Sequence, residues 1–176
     1  MTIVRGAASK WQHEWMRITF IQTGGTIDKD YPRSSGGYAF EFGEPATKRL
    51  LTRLNPSFAF DVRTAFQKDS TEITTDDRQQ LLDCIRSDDN DKIIITHGTD
   101  TMLETAAFLA AHVSDKVIVI TGAMRPERFY DSDASINVGC AIATANLAAN
   151  GIYIAMHGIV KRHHEMQRDN QTGKYH

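Results

Sequence analysis

The sequence predicts an α/β fold, an open and mainly parallel sheet with helices on both faces. Three observations predict it. Apolar runs such as those at 92–95 and 116–120 are nearly continuous, as in strands covered on both faces. Helical patterns alternate with these runs, so each strand feeds a crossover to the next and all strand ends come to one edge. Two of the runs stop abruptly in glycine, threonine and charged residues, the composition of a ligand-bearing edge in such sheets.

Taken in order, residues 17–21 form a short apolar strand that runs into Gln22-Thr23-Gly24-Gly25-Thr26-Ile27. The polar stretch 28–37, with Pro32 and the pair Gly36-Gly37, reads as a mobile loop. Glu44-Pro45 opens a helix running to Leu54, with proline at a tolerated first-turn position. Residues 58–66 alternate as a strand does, and Thr75-Asp76-Asp77 caps a helix through Arg86. A strand at 92–96, a helix from Met102, a strand at 116–120, a helix over 133–149 and a strand at 151–156 complete the pattern. Residues 1–16 read as an amino-terminal tail carrying Trp11 and Trp15, and residues 17–176 as one domain.

Bulk properties exclude several classes of function. A net charge of −2 with scattered Lys and Arg offers nothing to nucleic acid or to an anionic membrane surface. No apolar run reaches the length of a membrane span, and the first residues lack the apolar core of a secretory signal. Cys84 and Cys140 fall in helical patterns and read as core thiols, without metal-ligand or CxxC spacing. The expectation is a cytoplasmic protein with no metal and no cofactor.

The chemistry concentrates at two strand ends. In Ile94-Ile95-Thr96-His97-Gly98-Thr99-Asp100-Thr101 an apolar strand meets a helix start, where amides and the helix dipole favour an anionic group. Gly98 lets a ligand approach the backbone, and Thr99 and Asp100 set a hydroxyl beside a carboxylate. In the first segment Gly24 and Gly25 permit a tight turn, and Thr23 is expected to project its hydroxyl over the same edge as Thr99. Neither turn is a phosphate loop or a dinucleotide fingerprint, since no Gly-Lys-Ser/Thr follows and the third glycine is missing.

These two segments, with Thr121-Gly122-Ala123-Met124-Arg125-Pro126, resemble in order and spacing the motifs of the bacterial-type L-asparaginases. The resemblance runs from about Arg17 to about Gly173 and matches the family's amino-terminal catalytic domain. The smaller carboxy-terminal domain usual in the family is not contained in this sequence. The resemblance implies that Thr23 is the first catalytic threonine, forming an acyl-enzyme, and that Tyr38 of Gly37-Tyr38 assists it from a mobile loop. Tyr31 in the same loop fits less well. It implies that Thr99 is the second catalytic threonine and that Asp100 contacts the substrate's α-amino group. Asp69-Ser70-Thr71-Glu72 is similar to the family's Asp-Ser-Ser segment, so Ser70 would hold the α-carboxylate and Thr71 would line the pocket. Ala123 would receive the leaving amide nitrogen on its carbonyl. The lysine that ends the family's second triad aligns with Arg168, with Lys161 and Lys174 as alternatives. Arginine keeps the charge but is a poor general base.

Two functions are expected from this. One is an amidohydrolase cleaving L-asparagine, L-glutamine or another small amide to the acid and ammonia. The other is a ligand-binding or regulatory module that keeps the pocket without turnover. Either way the partner is a small amide or its acid, and the resemblance implies a homo-oligomer, at least a dimer.

Overall fold

Successive residues of a strand point to opposite faces, so a strand covered by helices on both sides must be apolar throughout. The computed structural model, which describes residues 16–31 and 40–176, shows both layers. On one side Ile21, Ile93, Ile95, Ile118 and Ile120 pack against Leu81, Leu82, Ile85, Met102, Ala106 and Leu109. On the other, Ile18, Phe20, Ile94, Val117 and Val119 pack against Ala46, Leu51, Ala134, Val138, Ala141 and Ala145. Cys84 packs on the first layer and Cys140 on the second; both are free thiols.

In chain order the elements are β1 (Arg17–Gly24), a 3-10 turn (Thr26–Asp28), β2 (Lys29–Asp30), β3 (Glu41–Phe42), α1 (Ala46–Leu54) and β4 (Ala59–Lys68). A second 3-10 turn (Ser70–Glu72) precedes α2 (Thr75–Arg86), β5 (Lys92–Thr96), α3 (Met102–Ala110) and β6 (Val117–Thr121). Last come α4 (Ala134–Leu147), β7 (Gly151–Met156) and β8 (Ile159–Arg162). The main sheet has the order β4-β1-β5-β6-β7-β8, and β2 pairs with β3 in a separate ribbon. All neighbours in the main sheet are parallel except β7 and β8. From β1 the chain crosses to β4 on one side, then over β1 to β5 on the other. The carboxyl ends of β1 and β5 therefore flank a topological switch point, where open α/β sheets bind ligands.

The described residues bear out the predicted fold class, and they add three local findings. β8 is an edge strand that the apolar pattern does not announce, joined to β7 through His157 (φ 54°) and Gly158 (φ 77°). Two positive φ values in a two-residue loop are the hairpin geometry that matches strand twist. α1 starts at Ala46, with Pro45 as its cap residue rather than inside the first turn, and the Ala46 amide donates to Asp28 Oδ1 at 2.7 Å. Thr74, one residue before the expected cap, caps α2 in a reciprocal box with Asp77. Residues 1–15, with Trp11 and Trp15, and residues 32–39, with Tyr38, lie outside the described residues.

Candidate active site

β1 and β5 pair as far as Gln22↔Thr96, and the residues that follow are Thr23, still within β1, and His97, just past β5. Both are fully buried. Thr23 Oγ1 donates to the Thr96 carbonyl at 2.8 Å. The expectation that Thr23 extends its hydroxyl over the sheet edge is thus corrected: β1 continues to Gly24, its register against β4 shifts between Gln22 and Gly24, and the Thr23 hydroxyl is turned inward onto the main chain of β5. Thr26, beyond the turn, is only partly buried and keeps surface open to solvent.

His97 is held the same way. Its Nδ1 donates to the Gly98 carbonyl at 2.7 Å, and its Nε2 lies 2.9 Å from the Thr105 hydroxyl. A carbonyl only accepts, so the proton sits on Nδ1 and Nε2 takes the Thr105 hydrogen. Thr105 Oγ1 in turn accepts from Arg78 Nε at 3.1 Å. Burial pushes the imidazole down to about 4, so His97 is a neutral strut.

The glycines bring these turns together. Gly24 and Gly25 have φ values of 105° and 79°, which side chains rarely adopt. A Cβ on Gly25 would strike the Gly98 backbone, and one on Gly98 would lie 2.6 Å from Ser70 Cβ. The close approach that a side chain at position 98 would block is made by the Ser70 turn. Gly24 likewise meets the Lys68 backbone. The two turns thus pack on each other at Gly25 and Gly98, each one residue before a threonine, Thr26 in one and Thr99 in the other.

Around that junction stand the other expected residues. Thr99 is mostly buried and the Asp100 side chain is half exposed. Arg168, with a side chain 15% exposed, donates from one terminal nitrogen to Asp100 Oδ1 at 2.9 Å. Of the three basic residues considered for this place, Arg168 is the one that meets Asp100; Lys161 sits in β8 and Lys174 is exposed. Ser70 is buried, and its Oγ accepts the Asp100 amide at 3.2 Å. Thr71 is exposed, and its hydroxyl donates to Asp69, which Lys29 holds at 2.7 Å. Ala123 is buried just past β6.

Two residues that composition hides support the site from behind. Asp28 reads as the start of a polar loop, yet it is fully buried, accepting from the Ala46 amide and from Thr96 Oγ1. Burial outweighs those bonds and pushes its carboxyl up to about 6. Tyr175, also buried, donates its hydroxyl to the Thr99 carbonyl. A segment without periodicity gives no sign of such a contact; a lone large aromatic among polar residues near the end of the sequence was the available signal. The charged stretch after β6 braces the fold: Glu127, nearly fully buried, takes Arg49 and Arg53, and Arg128 reaches Asp30 at 3.0 Å. Among the described residues no cluster of His, Cys, Asp and Glu suits a metal ion, and no helix is long and apolar enough to cross a membrane.

Comparison with known proteins places this arrangement. The family described as asparaginase, N-terminal, matches residues 17–173. The chain is 31% identical over 150 residues to the glutaminase-asparaginase of Acinetobacter glutaminasificans, covering 79% of this chain and 45% of that protein. It is 40% identical over 89 residues to L-asparaginase 2 of Escherichia coli, covering 48% of this chain and 26% of that one. Among solved structures, the thermostable L-asparaginase from Thermococcus kodakarensis superposes with a TM-score of 0.76 at 25% identity, over 87% of this chain and 48% of that one. The chain spans less than half the length of each of these proteins.

Proposed function

We propose that this chain, which belongs to the asparaginase family, hydrolyses the side-chain amide of L-asparagine, with L-glutamine as a second substrate, to the acid and ammonia. The observation that carries the reading is the meeting of the turn that carries Thr26 with the turn that carries Thr99 and the Asp100–Arg168 pair, through Gly25 and Gly98 at the β1/β5 switch point. A relative named as a glutaminase-asparaginase supports the same substrate class.

We assign the nucleophile to Thr26 in place of Thr23. A hydroxyl that is wholly buried and committed to a main-chain carbonyl reaches no substrate, whereas Thr26 borders solvent on the turn packed against Gly98. A threonine hydroxyl needs activation, and Tyr38 is assigned that task by the resemblance. Thr99 serves as the second hydroxyl and Asp100 as the anchor of the substrate amine. Ser70 accepts from the Asp100 amide and retains its own O–H for the substrate carboxylate, with Thr71 at the rim. The Ala123 carbonyl takes the leaving nitrogen. Gly24 and Gly98 shape the pocket by letting its walls meet. The assembly we assign is a homodimer or larger in the cytoplasm, the compartment that suits two free thiols.

A second reading is favoured by one observation. Asp100 is paired with an arginine, which holds charge but does not exchange a proton near neutrality. On that reading the chain binds aspartate or asparagine without turnover. Ammonia release from asparagine, glutamine and smaller amides, run beside calorimetric titration with L-aspartate, separates the two. Release from any of the amides establishes the hydrolase; aspartate binding with no release from any of them establishes the binding module.

A further inference from the structure

We infer that Tyr175 is a positioning residue, whose hydroxyl fixes the Thr99–Asp100 peptide so that the Thr99 hydroxyl and the Asp100 carboxylate are presented together. The inference rests on the amide-hydrolase reading of this site. The peptide unit is planar, so its two polar atoms move as one body. Its carbonyl accepts from Tyr175 at 2.5 Å, and its N–H donates to Ser70 Oγ at 3.2 Å. Held on both edges, the unit cannot rotate without breaking a hydrogen bond at each, and rotation is what would swing both side chains out of register.

The segment that delivers Tyr175 is built to hold that position. Arg168 and Tyr175 face each other across an antiparallel bridge, flanked by paired main-chain bonds between Gln167 and His176. One arm of this hairpin therefore holds the Asp100 carboxylate through Arg168, and the other holds the peptide just before it through Tyr175. The hairpin is itself tied to the sheet: the Tyr175 amide donates to His157 Nδ1, and the His157 amide to Asn137 Oδ1. Asn137 also donates to the Gly122 carbonyl at the end of β6. The Tyr175 ring packs in the same core layer as Met166, and a phenylalanine ring would fill that space equally well. The hydroxyl adds nothing to packing and is costly to bury unless it is bonded; its partner is the main chain of the site. Burial also pushes the phenol up, so it remains a donor at every working pH.

Tyr175→Phe in the full chain tests this, with kcat and KM for asparagine, exchange of the Asp100 amide by NMR, and thermal melting as readouts. The expected result is a kcat lowered about tenfold, the size of loss that a small misplacement produces, with KM changed by less than about threefold. The Asp100 amide should exchange about tenfold faster, as expected when a local opening becomes easier, while the melting temperature stays within a few degrees. Ser70→Ala removes the opposite hold and should raise Asp100 exchange in the same direction. Unchanged exchange at Asp100 in both variants, or a kcat in Tyr175→Phe equal to wild type, overturns the positioning role and leaves the hydrolase reading intact. If the wild-type chain releases no ammonia from any amide, yet Tyr175→Phe speeds Asp100 exchange and weakens aspartate binding, the positioning stands and the hydrolase reading falls.

Discussion

The turns after β1 and β5 are spelled alike and solved alike. In each, the polar residue next after the last β1–β5 pair, Gln22↔Thr96, is buried and bonded inward: Thr23 to the Thr96 carbonyl, His97 to Gly98 and Thr105. A glycine follows where the two turns touch, and a threonine comes after it, Thr26 in one turn and Thr99 in the other. The turns differ in what lies beyond. The β5 turn leads to Asp100 and is clamped by Arg168 and Tyr175, whereas the β1 turn leads to the buried Asp28, which caps α1. The comparison teaches that position relative to the strand end, more than residue type, separates a structural threonine from a presented one.

The largest effect expected from that rule is at Thr26. Thr26→Ala should lower turnover by about three orders of magnitude or more, as loss of a nucleophile does, with the fold unchanged. Steady-state ammonia release and circular dichroism check this. Wild-type turnover in that variant, with loss in Thr23→Ala at full stability, would reverse the two assignments.

The next effect tests the two buried titratable groups behind the turns. Asp28 titrates at about 6 in the native protein against an ordinary 3.8, so the native state binds more protons over that window and stability falls as pH rises through it. His97 titrates at about 4 against 6.5, so the unfolded state binds more protons and stability falls as pH drops from 6.5 to 4. Each contributes about 3 kcal/mol, and the two oppose each other across nearly the same range. Asp28→Asn should therefore uncover the histidine: relative to wild type, the variant should lose about 3 kcal/mol between pH 6.5 and 4. Urea midpoints at the two pH values measure it. Parallel profiles for variant and wild type would show that the two carry no such opposition.

Thr23→Val keeps the shape but leaves the Thr96 carbonyl short of a donor. It should cost about 1–3 kcal/mol in stability and leave kcat close to wild type at a temperature where the variant is folded. Denaturant unfolding beside kinetics decides between a structural and a chemical hydroxyl. The smallest expected change is at Arg168. Arg168→Lys should raise turnover by about severalfold, because a lysine lowered by burial exchanges a proton. Arg168→Ala should weaken aspartate binding and turnover together by removing the partner of Asp100. Indifference of activity to both would take Arg168 out of the site.

The sequence by itself determined the layers and the edge. Strands apolar on every residue and helices apolar on one stripe have few ways to bury those surfaces other than a parallel sheet between two helical layers. The Gly-Thr clusters were legible because glycine and polar residues end a strand whatever surrounds it. Tertiary structure decided which threonine faces out, because that depends on how far β1 extends, and its last pairing, Gly24↔Lys68, is made with a strand 44 residues away in sequence. It also moved Asp28 from a loop into the core and brought Arg168 and Tyr175 onto Asp100 and Thr99 across 68 and 76 residues of chain. Periodicity reports on local burial, while a hydrogen bond between distant segments follows from how the whole sheet is wound.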